Sequence, residues 1–453
     1  MENILLIDYG STFTKVTAVE ISKPKLLGCA SAVTTVDTDV NEGLKKALLE
    51  LEKQTGKLKY HKQFACSSAA GGLRMVVSGL VPDLTAKAAS LASMGAGAKI
   101  VGLYSFELTE DDITEITKKS PDIMLLTGGT DGGNKKCILH NASMLAEAAG
   151  DFPVIVAGNR NCGHEVLQIL NNRQVYLCDN VMPTLNTLNI EPTRQMIRDI
   201  FLKRIVYAKG LRSGVIMPTP AAVLAATQLL ATEIGDLIAI DVGGATTDIY
   251  SISDGTPRSS NVIQKGLPEP FAKRTVEGDI GMRYSAQGII EAAGINKIAK
   301  LAGLQEETVT EHVRSMSVNV GTLPETTDQK ALDFALAALA IETATIRHVG
   351  SLEEVYTSSG RAFVQTGKDL TDVETIVITG GALLNTEKQK ELLSYALYSI
   401  NQPQSLRPKK AKLLIDSNYI LASMGLLSEY APDAALKIIK DNLRGEAGNG
   451  VTQ

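Results

Sequence analysis

Apolar residues in this chain come in short β-branched runs separated by amphipathic stretches, the alternation expected of a layered α/β protein. One run, LIAIDV, carries Asp241, turns through Gly243 and Gly244, and continues after Thr246 as TDIYSI. That order predicts a buried strand, a tight turn and a returning strand. The same pattern opens the chain. ILLIDYGSTFTKVTAVEI brings an apolar run to Asp8, turns through Gly10, Ser11 and Thr12, and leaves by a second apolar run after Thr14 and Lys15. Asp8 aligns with Asp241, Gly10 with Gly243, and Lys15 with Asp248. Two more runs, DIMLLTGG and TIVITGG, end in Thr-Gly-Gly at 127–129 and 379–381. This self-similarity predicts a degenerate duplication in which each half supplies one hairpin and one Gly-Gly turn.

Elsewhere the periodicity predicts helices over 41–54, 83–94, 110–119, 134–149, 163–170 and 193–209, and strands over 122–126, 154–157 and 174–177. MPTPAAVLAATQLL predicts a Pro-started helix over 217–230 that delivers the chain to the second hairpin. The division between halves is placed there: a first lobe over 1–215, a second over 216–443 with a small helical subdomain near 283–330, and a disordered Gly-rich tail over 444–453. KALDFALAALAIETATIRHV reads as a long buried helix with His348 as its C-terminal cap, and Asp279 reads as a helix cap in EGDIG.

The turns carry the candidate chemistry. Gly243 and Gly244 lack a Cβ, so successive N–H groups can converge on an anion close to the main chain. Thr246 and Thr247 add hydroxyl donors. Asp241 and Asp248 are carboxylates suited to holding Mg²⁺, directly or through its waters, or to orienting an attacking water. A single such hairpin is equally well an ordinary Gly-Gly turn; the second copy favours a phosphate clamp.

Bulk properties narrow the partners. At 453 residues the chain exceeds a single core, and a net charge of −5 gives no electrostatic case for nucleic acid or an anionic membrane. Five scattered cysteines without C-x-x-C suggest neither a disulfide framework nor zinc, and no apolar run approaches the ~20 residues that span a bilayer. The expected location is cytoplasmic. A homodimer is compatible with this composition.

DYGSTFTK and DVGGATTD resemble the first and second phosphate hairpins of the two-lobed ATPase superfamily of actin, the heat-shock chaperone ATPases and the sugar kinases. PTPAAVLAA resembles its Pro-started connecting helix, and VITGGALL its adenosine-binding turn. The phrases LLIDYGSTFTKVTAVE, CSSAAGGLRM, DIMLLTGGTDGGN, IDVGGATTDIYS and SNYILASMGLL are similar to the GlmL or MutL-like accessory proteins of adenosylcobalamin-dependent glutamate mutase and related aminomutases. The resemblance implies an actin-like α/β fold of two duplicated ribonuclease H-like lobes around a nucleotide cleft. It also implies an ATP- and Mg²⁺-dependent reactivase that helps a mutase exchange damaged cobalamin. Carried over residue by residue, it assigns the Mg²⁺ shell to Asp8 and Asp241. The β- and γ-phosphates fall to Gly10, Ser11, Thr12 and Lys15 on one side and to Gly243, Gly244 and Thr246 on the other. Gly380 and Gly381 would admit the adenosine, and Asp248 stands second to Asp241 for orienting the water. The resemblance assigns no residue of this sequence to the acidic or glutamine position that many relatives carry on the first lobe's connecting helix.

Other readings keep the fold and change the function. A small-metabolite kinase needs a carboxylate base facing a hydroxyl substrate. An iron–sulfur activator needs paired cysteines at a dimer interface, for which Cys66, Cys137 and Cys162 are the candidates. A filament or scaffold would keep only the nucleotide.

Overall fold

The computed structural model of the chain describes residues 2–35, 40–68, 73–206, 215–321, 323–358, 360–384, 386 and 388–446. Residues 207–214, just before the expected boundary between lobes, lie outside them, as does 447–453 of the expected tail. The chain forms two compact units: Met1–Ala70 with Ala222–Gln264 and Phe271–Gln453, and Gly71–Ala221 with Lys265–Pro270.

The first unit contains both hairpins, each at the middle of its own sheet. Asn3–Tyr9 pairs antiparallel with Phe13–Glu20, which pairs antiparallel with Lys25–Val33. On its other side Asn3–Tyr9 pairs parallel with Lys62–Ser67. The second sheet repeats the plan. Leu237–Val242 pairs antiparallel with Thr247–Ile252, and that strand with Ala272–Glu277. Across the other edge, Thr375–Thr379 and then Lys412–Ile415 follow in parallel. A meander of three strands followed by parallel additions beside the first strand is the ribonuclease H-like order. Its duplication gives the actin-like α/β fold. Each leading strand is covered on both faces, which is why both read as unbroken apolar runs rather than as alternating ones.

Packed on the second sheet is helix Thr327–His348, whose leucine, isoleucine and alanine residues form one core with Ile238, Ile240, Ile249 and Ile376. A capping box at its start, Thr326 with Gln329, satisfies the first free N–H groups. Its last residue, His348, expected as a C-terminal cap, instead has a buried ring that bonds side chains of the sheet, with Nε2 2.8 Å from Ser251 Oγ and Nδ1 2.7 Å from Thr275 Oγ1. Burial, reinforced by Lys273 and Lys368, holds it neutral. Helices Ala286–Ala293, Ile295–Ala302 and Glu306–Val318 form the small helical group. The first of these starts after Ser285, so Asp279 caps no helix; it lies in the loop after strand Ala272–Glu277. Arg444–Glu446, expected within a disordered tail, pairs antiparallel with Lys412–Ile415 as an edge strand.

The second unit is a five-stranded sheet whose strands all run parallel. Ala98–Ser105 flanks Leu73–Gly79, followed by Ile123–Leu126, Val154–Val156 and Val175–Leu177. Helices between successive strands cover it in the doubly wound manner. The expected duplication of the Thr-Gly-Gly turns therefore fails topologically. Thr127 ends a strand of this parallel sheet, whereas Thr379 ends a strand beside Asp241. The position equivalent to Thr379 in the first hairpin's sheet is Cys66, paired with Asp8.

Candidate nucleotide-binding site

The two hairpin turns have the same internal geometry. Gly10 N donates to Phe13 O at 3.2 Å, and Gly243 N donates to Thr246 O at 2.9 Å. Directly beneath them, Asp8 pairs with Lys15 and Asp241 with Asp248 across the two ladders. Gly10 is required because a Cβ there would stand 2.5 Å from Phe13 O. The carbonyls of both turns are held from outside: Thr34 Oγ1 binds Gly10 O and Thr34 N binds Thr12 O, while Met282 N and Arg283 N bind Gly243 O and Gly244 O. The N–H groups of Ser11, Thr12, Gly244 and Ala245 have no hydrogen-bond partner among the described residues. Occupied acceptors and free donors at close quarters make an anion-binding concavity. Thr12 Oγ1 is itself buried without a hydrogen-bond partner among the described residues, 2.8 Å from where a Cβ on Gly244 would stand, so the two turns face one another closely.

Carboxylates gather below the turns. Asp8 is buried, with Lys15 Nζ 3.4 Å from its Oδ2 and Cys66 Sγ 3.5 Å from its Oδ1. Asp241 is half-buried and its side chain accepts no hydrogen bond among the described residues. Desolvation pushes its carboxyl up to about 7, with Asp248, Asp8 and Asp416 adding to the rise and Lys15 opposing it. Burial would depress the Lys15 ammonium, but Asp8 and Asp241 outweigh it and raise the group overall.

Asp248 differs from its sequence partner's neighbours. Arg274 Nε and Nη2 lie 2.8 and 2.6 Å from its Oδ1, and Thr246 Oγ1 donates to its Oδ2 at 3.0 Å. Oδ1 is thus engaged in a buried ion pair and Oδ2 by a hydroxyl, so of the two carboxylates on this hairpin Asp241 is the one with open acceptor capacity.

Asp416 was not a candidate from the sequence. It ends strand Lys412–Ile415, and its carboxylate accepts the N–H groups of Ile420 and Leu421 at 2.9 and 3.0 Å and the Thr379 hydroxyl at 3.1 Å. It thereby fastens the start of helix Leu421–Ser428 to the Thr-Gly-Gly turn. The visible signal was an Asp between an apolar run and the helical SNYILASMGLL. Within that turn Gly380 takes φ +100°, and a Cβ would stand 2.5 Å from Val242 O and 2.8 Å from Asp241 Oδ1. Gly381 has space: its nearest neighbour is Tyr419 Oη at 3.5 Å.

No three His, Cys, Asp or Glu side chains converge as direct ligands among the described residues. A magnesium ion held through its own waters fits the set better: Asp8 and Asp241 offer acceptors, and the orphaned Thr12 hydroxyl and free turn N–H groups suit the phosphates such an ion accompanies.

No helix among the described residues is long and apolar enough to cross a membrane. The chain is 45% identical to Protein MutL of Clostridium tetanomorphum, over 98% of this chain and 99% of that one. Among solved structures, nucleotide-free acetone carboxylase aligns at 13% identity and TM-score 0.42, covering 94% of this chain and 70% of that one. Component A of Acidaminococcus fermentans (R)-2-hydroxyglutaryl-CoA dehydratase aligns at 11% and 0.31, covering 98% and 99%. The family model described as MutL protein matches residues 4–443, and the chain belongs to that family.

Proposed function

We propose that this chain is a slow ATPase that serves as accessory protein to an adenosylcobalamin-dependent mutase, glutamate mutase or an aminomutase, and promotes exchange of damaged cobalamin for intact coenzyme. The observation that carries the nucleotide half is the pairing of two like turns, with free N–H groups and the orphaned Thr12 hydroxyl, over the partnerless carboxyl of Asp241. Membership of the MutL family supports the partner half.

In this reading Gly10, Ser11, Thr12, Gly243, Gly244 and Thr246 receive the β- and γ-phosphates, and Lys15 supplies positive charge to them. Gly380 and Gly381 let the adenosine approach the backbone. Magnesium, held through water by Asp8 and Asp241, would supply charge neutralisation at the phosphates. Asp241 accepts a hydrogen bond from the attacking water. Its oxygens are the ones left open for that task, and Asp248, neutralised by Arg274, supports the turn instead.

The test incubates a mutase inactivated by damaged cobalamin with this chain, free adenosylcobalamin and Mg·ATP. Return of mutase activity with hydrolysable ATP alone, and phosphate release that rises when mutase is present, is the expected result. Phosphate transfer to a sugar or carboxylic acid without any mutase dependence would replace this reading by the kinase one.

A further inference from the structure

Among the described residues, four other than glycine have positive φ, and Tyr419, at +54°, is the one beside this site. That conformation is costly for a bulky side chain and persists where the surroundings impose it. Here they do. Tyr419 N donates to Asp416 O at 3.1 Å, and the Asp416 carboxylate takes the next two N–H groups. Asn or Gly would satisfy the same backbone at lower cost, so the turn alone gives no reason for an aromatic residue.

The side chain supplies one. Lys15 Nζ lies 5.2 Å from the centre of the Tyr419 ring, within cation–π range. The Tyr419 hydroxyl reaches the other feature of the site, the turn at Gly381, at 3.5 Å from a Cβ position that glycine leaves empty. Lys15 is long and flexible, and among the described residues its side-chain hydrogen bond is to Asp8, at 3.4 Å. The ring is the second wall.

We propose that Tyr419 is a positioning residue for the phosphates: it acts through Lys15, its ring holding the ammonium between Asp8 and the first turn. The inference rests on the nucleotide reading given above. Burial raises the phenol, with Asp241 and Asp416 raising it further against Lys15, so the ring that faces the ammonium is that of a neutral phenol at pH 7.

Two variants separate the ring from the backbone. Tyr419→Asn suits the left-handed turn and deletes the ring; Tyr419→Phe keeps it. Tyr419→Asn is expected to melt no lower than the parent yet lose about tenfold in kcat, with ATP affinity falling more than ADP affinity. Tyr419→Phe should recover to within about threefold of the parent. Parent-like kcat and ATP affinity in Tyr419→Asn, or equal losses in both variants, would overturn the inference. A nucleotide-free readout keeps it separate from the function. After reductive ¹³C-methylation the Lys15 resonance, identified by its absence in Lys15→Arg, should carry a ring-current shift that Tyr419→Asn removes. A resonance unmoved by Tyr419→Asn overturns the inference whatever the ATPase does, whereas a parent protein that fails to bind or hydrolyse ATP overturns the functional reading.

Discussion

Arg274 grips Asp248 through two nitrogens on one carboxylate oxygen, at 2.8 and 2.6 Å, with both side chains almost wholly buried. In the proposed reading this ion pair makes Asp248 part of the scaffold, with Asp241 as the group that orients the water. Removing one member leaves the other as a buried uncompensated charge, so Asp248→Ala and Arg274→Ala should each cost about 3–5 kcal/mol in urea unfolding. The double replacement by Leu and Met should cost much less than the sum. An Asp248→Ala protein with parent stability and no hydrolysis would return Asp248 to the chemistry.

Asp241 should show the opposite trade. Its carboxyl is raised from 3.8 to about 7, so the folded state binds its proton more tightly than the unfolded chain does. That contribution to stability is fully present below about 3.8 and is lost as pH rises through about 7. Asp241→Asn, which cannot ionise, should therefore gain on the parent as pH goes from 5 to 8, by on the order of 2 kcal/mol at the upper end. Thermal melts of both proteins across that range check it; a constant difference would contradict the assigned protonation.

Thr12 isolates a binding contribution. Thr12→Val keeps the shape and removes a hydroxyl that has no hydrogen-bond partner among the described residues. Stability should hold or rise slightly, while Mg·ATP affinity falls about three- to tenfold. Titration calorimetry alongside denaturant unfolding measures both quantities.

Gly380→Ala would force a Cβ against Val242 O and Asp241 Oδ1 from a backbone at φ +100°. The expected loss is about 2 kcal/mol or more in stability, with nucleotide binding weakened. Gly381→Ala has a clear 3.5 Å to Tyr419 Oη and should be the milder change in unfolding experiments on the pair.

The hairpins were legible because their requirements are local. An apolar strand buried on both faces, an Asp near its end and a Cβ-free turn all lie within about a dozen consecutive residues. A constant interval separates Asp8, Gly10 and Lys15 from Asp241, Gly243 and Asp248, and the ladders pair them identically. What depends on which strand joins which sheet was not legible. Two Thr-Gly-Gly turns that look alike ended in different sheets, and Cys66, with no sequence likeness to Thr379, took its place. Arg274 and Asp416 reach the site through pairings across 26 and 37 residues, which no local pattern announces. His348 misled because a terminal helix position favours a cap, whereas packing on Ser251 and Thr275 decided its environment.

Phosphate release from Mg·ATP by the parent chain and by Asp241→Asn, compared under one condition near pH 8, tests the central claim most directly. The account predicts slow release by the parent and a loss of at least about a hundredfold in a variant that is folded and no less stable. Equal release by the two proteins would show that hydrolysis, if present, does not run through the carboxyl beneath these turns.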